Sequence, residues 1–168
     1  MKTLILLRHA KSSWEDPALG DFDRPLAKRG CRAAPLIGRL MAQRGWLPDI
    51  ALVSPAVRAR ETWRLVSAEL PKPVETRFEQ AIYMAAPDGL LALLRQTETP
   101  GSVVLVGHNP GLEQCAALLA GPASDARALA AMREKFPTAA LARFDVSAGL
   151  APGSAILTDF VRPKDLVS

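Results

Sequence analysis

Three short, almost wholly apolar runs punctuate the chain, Thr3–Leu7, Ile50–Val53 and Val103–Val106, and each gives way at once to polar residues. Unalternated runs of this length suit strands buried on both faces of a mostly parallel sheet. Between them the apolar spacing turns helical. Residues Leu26 to Arg44 place Leu36, Ile37, Leu40 and Met41 on one face, with Gly45 as a stop and Pro35 as an internal kink. A second helix is predicted from Val57 to Leu70, ended by Pro71 and Pro73. Pro87 and Asp88 open a third, with Leu90, Leu91, Leu93 and Leu94, and Gly111 to Leu119 reads as a fourth. Further strands are expected at Val74–Phe78, Ala140–Val146 and Ala155–Val161, the last two separated by the turn GLAPG. Residues Ala120 to Pro137 read either as a short helix or as a lid-like loop. Alternating strands and helices imply an α/β fold, a three-layer α/β/α sandwich around a central, mostly parallel sheet, in a single domain over residues 1–168.

The three buried runs empty into RHAKSSW, SPAVRARET and GHNPG. Ligands of open α/β sheets bind beyond the carboxyl ends of the strands, so these segments are expected to share one crevice. They also hold the chain's two histidines: His9 beside Arg8, and His108 in a Gly-His-Asn-Pro-Gly turn. A histidine alone is more often a surface or satisfied core residue. Two at equivalent strand ends, with arginines nearby, point to one site. Phosphoryl transfer needs donors around three equatorial oxygens and an in-line nucleophile. Arg8 and Arg58 supply forks of donors suited to those oxygens. An imidazole, with an unperturbed pKa of roughly 6.5, keeps a free nitrogen at neutral pH and serves as the nucleophile without a metal ion.

Composition narrows the classes. A net charge of +4 comes from arginines spread along the chain, and aromatics are only 5%, so the clustered basic and aromatic surface of a nucleic-acid binder is not expected. Cys31 and Cys115 lie far apart and outside any Cys-x-x-Cys pattern, which argues against a zinc site or a disulfide framework; both are expected to be buried. No stretch approaches the roughly 20 apolar residues of a membrane helix, and the first run is too short for a signal-peptide core. A soluble, cytoplasmic, monomeric protein is expected. No Gly-x-x-x-x-Gly-Lys-Ser/Thr loop or Gly-x-Gly-x-x-Gly fingerprint is present.

LILLRHAKSSW resembles the signature of the histidine phosphatase, or phosphoglycerate mutase-like, superfamily, in which an Arg-His pair follows the first strand. SPAVRARET is similar to that superfamily's second motif, which maps onto Ser54 and the phosphate-binding Arg58. LVGHNP resembles the third, which supplies His108. The compact length, DFDRPLAKRGC over Asp21 to Cys31, EQAIY over Glu79 to Tyr83 and the lack of a large insertion look most like the small SixA-type phosphohistidine phosphatases. One departure is Ala27, where the pattern often has a capping threonine or serine. The resemblance implies the histidine phosphatase fold, a transient phosphoryl group on His9, a hydrogen bond to it from His108, charge neutralisation by Arg8 and Arg58, and no cofactor or metal. It implies phosphohistidine in a protein as substrate. Small phosphoesters are the alternative substrates, and a noncatalytic phosphoprotein-binding module is the alternative of another class.

Other residues are second-tier candidates. Ser12 and Lys11 could serve phosphate from the loop after His9, and Asn109 either joins the pocket or only starts a turn. Arg24 either orients its loop or touches substrate. Asp21-Phe22-Asp23 has a magnesium-like spacing, but a salt-bridge or helix-start role is the better reading. For a general acid the chain offers Glu15, Asp16, Asp21, Asp23 and Glu79, with none singled out. A phosphoramidate substrate has less need of one, because its leaving imidazole can already carry a proton. Trp14 is the one tryptophan expected near the mouth.

Overall fold

The three apolar runs become the centre of one six-stranded sheet. The structure, a computed structural model, describes residues 1–167. Its strands are β1 (Thr3–Arg8), β2 (Ile50–Val53), β3 (Glu75–Phe78), β4 (Ser102–Gly107), β5 (Leu141–Asp145) and β6 (Ile156–Val161), in spatial order β3-β2-β4-β1-β5-β6. Pairs β3·β2, β2·β4 and β4·β1 are parallel, and β5 and β6 add on antiparallel. The five helices are α1 (Lys28–Arg44), α2 (Val57–Ser67), α3 (Pro87–Gln96), α4 (Gly111–Leu119) and α5 (Ala126–Glu134).

The lack of alternation in the apolar runs has the expected cause: both sheet faces are covered. Leu4, Leu6, Leu52 and Leu105 face a core closed by α3, α4 and α5. Ile5, Leu7, Ala51, Val53, Val104 and Val106 face the opposite core, closed by Ile37 and Met41 of α1 and Trp63 and Val66 of α2. Burial of each such Leu, Ile or Val side chain contributes about 1.5–3 kcal/mol. The three-layer α/β/α sandwich read from the sequence is therefore the fold.

Helix boundaries follow local chemistry. Gly45 ends α1 in the left-handed region at φ 67, and Ala27 stands at its N-cap with no side-chain bond, as expected where a capping hydroxyl is replaced by a methyl. The second helix stops at Ser67, three residues short of Leu70, because the chain tightens into turns ahead of Pro71 and Pro73. Residues Ala120 to Pro137 resolve in favour of the helix: α5 is capped by Asp125, whose Oδ1 accepts the Ala128 N–H at 2.8 Å, and it buries Ala128 and Met132. Phe136 just beyond it is 1% exposed, so the segment is part of the core and not a lid. Cys115 is buried, but Cys31 is exposed, because it falls on the solvent face of α1.

No helix among the described residues is long and apolar enough to cross a membrane.

Candidate active site

Sheet register brings the two histidines together. Arg8 at the end of β1 pairs with Gly107 at the end of parallel β4, so one further residue on each strand sets His9 beside His108. Their ring centroids are 5.2 Å apart. On the other side of β4, Val53 of β2 is level with Val106, which places Ser54 and the start of α2 at the same edge. From the first turn of α2, Arg58 enters the site. It is fastened there by Thr62, whose Oγ1 donates to the Arg58 carbonyl at 2.7 Å and accepts the Ala10 N–H at 2.9 Å.

His9 is 6% exposed, and its Nδ1 lies 2.7 Å from the carbonyl oxygen of Ala10. A carbonyl can only accept, so Nδ1 carries the proton and Nε2 keeps its lone pair. Burial is the main reason that the His9 pKa is pushed down to about 3, opposed by the bond to Ala10 and reinforced by His108, Arg58 and Arg8. The ring is thus neutral at pH 7.

His108 is held by Ser54, its Nε2 lying 2.7 Å from the buried Ser54 Oγ. That Oγ also accepts the Ala56 N–H at 3.3 Å. The arrangement that satisfies both groups has the Ser54 hydroxyl donating to Nε2, which leaves His108 Nδ1 as an N–H with no partner. Desolvation, then the nearby Arg58, pushes the His108 pKa down to about 4. Both rings should therefore give imidazole nitrogen shifts of the neutral Nδ1–H tautomer at pH 5.5 to 7, a measurement simplified because the chain has only these two histidines. An Nε2–H tautomer for His9 would sink its reading as a nucleophile.

The arginines are oriented by backbone and carboxylate oxygens. Arg8 Nη1 donates to the Phe136 carbonyl at 3.0 Å. Arg58 donates from Nη1 to the Asp21 carbonyl at 2.7 Å and from Nη2 to Asp21 Oδ2 at 3.0 Å. The Nε atoms of Arg8 and Arg58, like His108 Nδ1, are buried without a partner. A buried unpaired donor costs about 1–3 kcal/mol, and the Nε atoms of Arg24 and Arg143 share this state. Arg58 and His108 line a cavity of about 490 Å³ whose rim includes Asp21, Tyr83 and Asn109.

Asp21 does more than the sequence suggested. Its carboxylate takes the Tyr83 hydroxyl at 2.6 Å and Arg24 Nη2 at 3.1 Å as well as Arg58. These partners, Tyr83 first, hold its pKa well below the usual carboxylate range, so it stays ionised and has no proton to donate. The salt-bridge or helix-start reading of Asp21-Phe22-Asp23 agrees with the structure: Asp21 pairs with Arg24 and Arg58, and the three residues form one 3-10 turn. Tyr83, the chain's one tyrosine, packs edge-on to His108 at 5.6 Å and to Phe22 at 5.0 Å. Sequence reading missed it as a site residue; its uniqueness within EQAIY was the available signal.

The second-tier candidates also make bonds that hold the site's loops. Ser12 Oγ, expected to serve phosphate, accepts Arg24 Nη1 at 2.7 Å in a buried contact, which leaves its own hydroxyl proton to donate. Arg24 orients its loop, linking Ser12 to Asp21, while the exposed Trp14 ring stacks on its guanidinium at 3.5 Å. Asn109 lines the cavity, but its amide donates to the Phe136 carbonyl at 2.9 Å and its Oδ1 accepts the Glu113 N–H at 3.2 Å, tying the His108 turn to the end of α5 and the start of α4. Glu15, Asp16 and Asp23 are exposed.

The sequence profile of the histidine phosphatase superfamily (branch 1) matches residues 4–79, the stretch that holds Arg8, His9 and Arg58. The structure of SixA from Agrobacterium tumefaciens, a proposed phosphohistidine phosphatase, superposes with a TM-score of 0.83 at 33% identity, over 96% of this chain and 98% of that one. The chain belongs to the histidine phosphatase superfamily. Within the superfamily its likeness is to the SixA type. An uncharacterised Mycobacterium tuberculosis protein is 34% identical over 169 residues, covering 94% of this chain and all of that one. An uncharacterised chloroplastic protein of Arabidopsis thaliana is 38% identical over 130 residues, and the match spans 71% of this chain and 60% of that protein's length.

A prediction follows for Ser54 of this superfamily member. Ser54→Ala removes the hydroxyl that sets the His108 tautomer without touching the reacting group. It should lower kcat by about tenfold with little change in KM, and His108 alone should show mixed tautomers in the nitrogen spectrum.

Proposed function

We propose that this superfamily member removes phosphate from phosphohistidine in a protein, through a phosphoryl group carried on Nε2 of His9. The phosphatase chemistry is supported by the superfamily and by the SixA-type neighbour. The observation that carries the finer reading is the hydrogen bond from His9 Nδ1 to the Ala10 carbonyl, which leaves the Nε2 lone pair directed away from its own backbone, beside His108.

In the first step Nε2 attacks phosphorus and the bond from phosphorus to the substrate's imidazole nitrogen breaks. The departing imidazole leaves neutral when its other nitrogen already holds a proton, so no acid is required at that point. His9 then carries phosphoryl on Nε2 and the original proton on Nδ1, and its positive charge rests against the Ala10 carbonyl. Water attacks phosphorus in the second step, the Nε2–P bond breaks, and the water's protons leave with inorganic phosphate or pass to solvent. His9 returns to the neutral form from which it began. His108 Nδ1–H, Arg8 and Arg58 donate to the equatorial oxygens in both steps.

Asp21 supports a phosphoramidate over an ester. An alkoxide leaving group needs a proton in the transition state, and the carboxylate that lines the cavity is held ionised by Tyr83, Arg24 and Arg58. The test is phosphate release from a phosphohistidine protein and from a panel of phosphoesters, with EDTA present. Rapid, EDTA-insensitive release from phosphohistidine and slow release from esters is the expected result. Preference for small esters would keep the chemistry and move the substrate. No turnover of any of them would favour a phosphoprotein-binding module.

A further inference from the structure

A second and larger cavity lies on the α1 side of the catalytic loop. Its volume is about 660 Å³, and Lys11, Arg29, Arg32, Arg162 and Lys164 line it without any acidic side chain. Of these five cations only Arg162 has an ion-pair partner among the described residues, Asp165 at 3.0 Å. A scatter of surface arginines is commonly just solvated. Here the cations surround a concave surface whose walls, Leu36 and Pro137 among them, are apolar.

The groove is joined to the catalytic machinery. Lys11 is two residues beyond His9, and Pro137 follows Phe136, whose carbonyl holds both Arg8 and Asn109. The join is rigid as well. The Lys11 carbonyl accepts the Ala27 N–H at 2.8 Å, and α1 packs so closely on this loop that a Cβ at Gly30 would collide with the Lys11 carbonyl.

Resting on the reading above, we propose that this groove docks an acidic, partly apolar segment of the phosphorylated protein while its phosphohistidine occupies the site at His9. Unpaired cations around an apolar floor complement carboxylates alternating with aliphatic side chains. A nucleic acid fits less well, since no aromatic side chain lines the groove to stack on a base. The groove also lies outside the cavity formed by Arg58 and His108, so a substrate that fills only the phosphoryl site would not use it.

The test uses Arg29→Glu/Arg32→Glu, a double reversal at exposed positions of α1, with folding checked by thermal melt. Substrates are phosphohistidine peptides flanked by alternating glutamate and leucine, the same peptides with glutamine for glutamate, and phosphoramidate. Wild type should prefer the glutamate peptides. The double variant should lose about tenfold in kcat/KM on them at low salt, a loss that shrinks near ~0.5 M NaCl, while phosphoramidate turnover stays within about twofold.

Equal use of the glutamate and glutamine peptides by wild type, or an equal loss on phosphoramidate in the variant, would overturn the proposal. So would inhibition by a single-stranded oligonucleotide but not by the unphosphorylated glutamate peptide. If wild type released no phosphate from any phosphohistidine peptide, the functional reading would fail first. Binding of the fluorescent unphosphorylated glutamate peptide, present in wild type and weakened in the variant, would then still uphold the groove, and its absence in wild type would reject it.

Discussion

His9→Ala should lose turnover by about four orders of magnitude or more in kcat, because under the proposed mechanism it removes the atom to which phosphorus bonds and not merely a contact to it. Wild type quenched during turnover should carry an acid-labile, alkali-stable phosphoryl label on His9, and the variant should carry none. The fold should survive, since the imidazole makes only one hydrogen bond, to its neighbour's carbonyl. Its acid stability should change in a defined direction. Folded His9 resists protonation down to about 3, whereas in the unfolded chain it takes a proton below roughly 6.5. The unfolded state therefore binds more protons between those values, and wild-type stability falls as pH drops through that window. Removing His9 removes its share, so the variant's stability should fall less steeply from pH 6 to 4 in denaturant titrations. A variant with near-normal turnover, or a label on another residue, would reject His9 as the phosphoryl carrier.

Arg58→Lys should reduce kcat/KM by about a hundredfold or more. Charge is retained, but a lysine has a single nitrogen in place of the planar fork whose Nη1 and Nη2 separately hold the Asp21 carbonyl and carboxylate. Arg58→Ala should lose more activity and also about 1–3 kcal/mol of stability, the lower end being set by solvent screening at the half-exposed Asp21 side chain. Separate measurement of Kd for a phosphate mimic and of kcat distinguishes the two effects. The lysine variant should be defective in both and close to wild type in melting temperature. An unchanged kcat/KM in Arg58→Lys would show that the fork does not meet substrate.

Asp21 qualifies how this site is to be compared with others of similar chemistry. Its carboxylate faces Arg58, Arg24 and Tyr83 together, which places a negative charge at the rim of the cavity that Arg58 and His108 line. The consequence is a fixed Arg58 and an ionised rim; under the proposed reaction, protonation of the leaving group falls to the substrate's own chemistry.

Much of this was legible in the chain before folding. Leu4–Leu7, Ile50–Val53 and Val103–Val106 are apolar without alternation because each strand is covered on both faces, and that period is a local property of the sequence. Placement of Arg8, His9 and His108 just after such runs was enough to put them at the carboxyl edge of a parallel sheet. Gly45, Pro71 and Pro87 mark helix ends through their own backbone preferences, which need no partner. The parts that could not be read depend on partners distant in sequence. Which ring nitrogen of His108 is free depends on Ser54, some fifty residues earlier, and the state of Asp21 depends on Arg58 and Tyr83. The buried bond from Arg24 to Ser12 joins segments twelve residues apart, and the burial of Phe136, whose carbonyl holds Arg8, depends on packing against the sheet. The sequence by itself determined the layers, the strand ends and the residue types gathered there, because these follow from backbone preference and hydrophobic period. Only the tertiary structure decided protonation, tautomer and which donors stay unpaired, because those are set by burial and by hydrogen bonds between segments that meet only when the chain is folded.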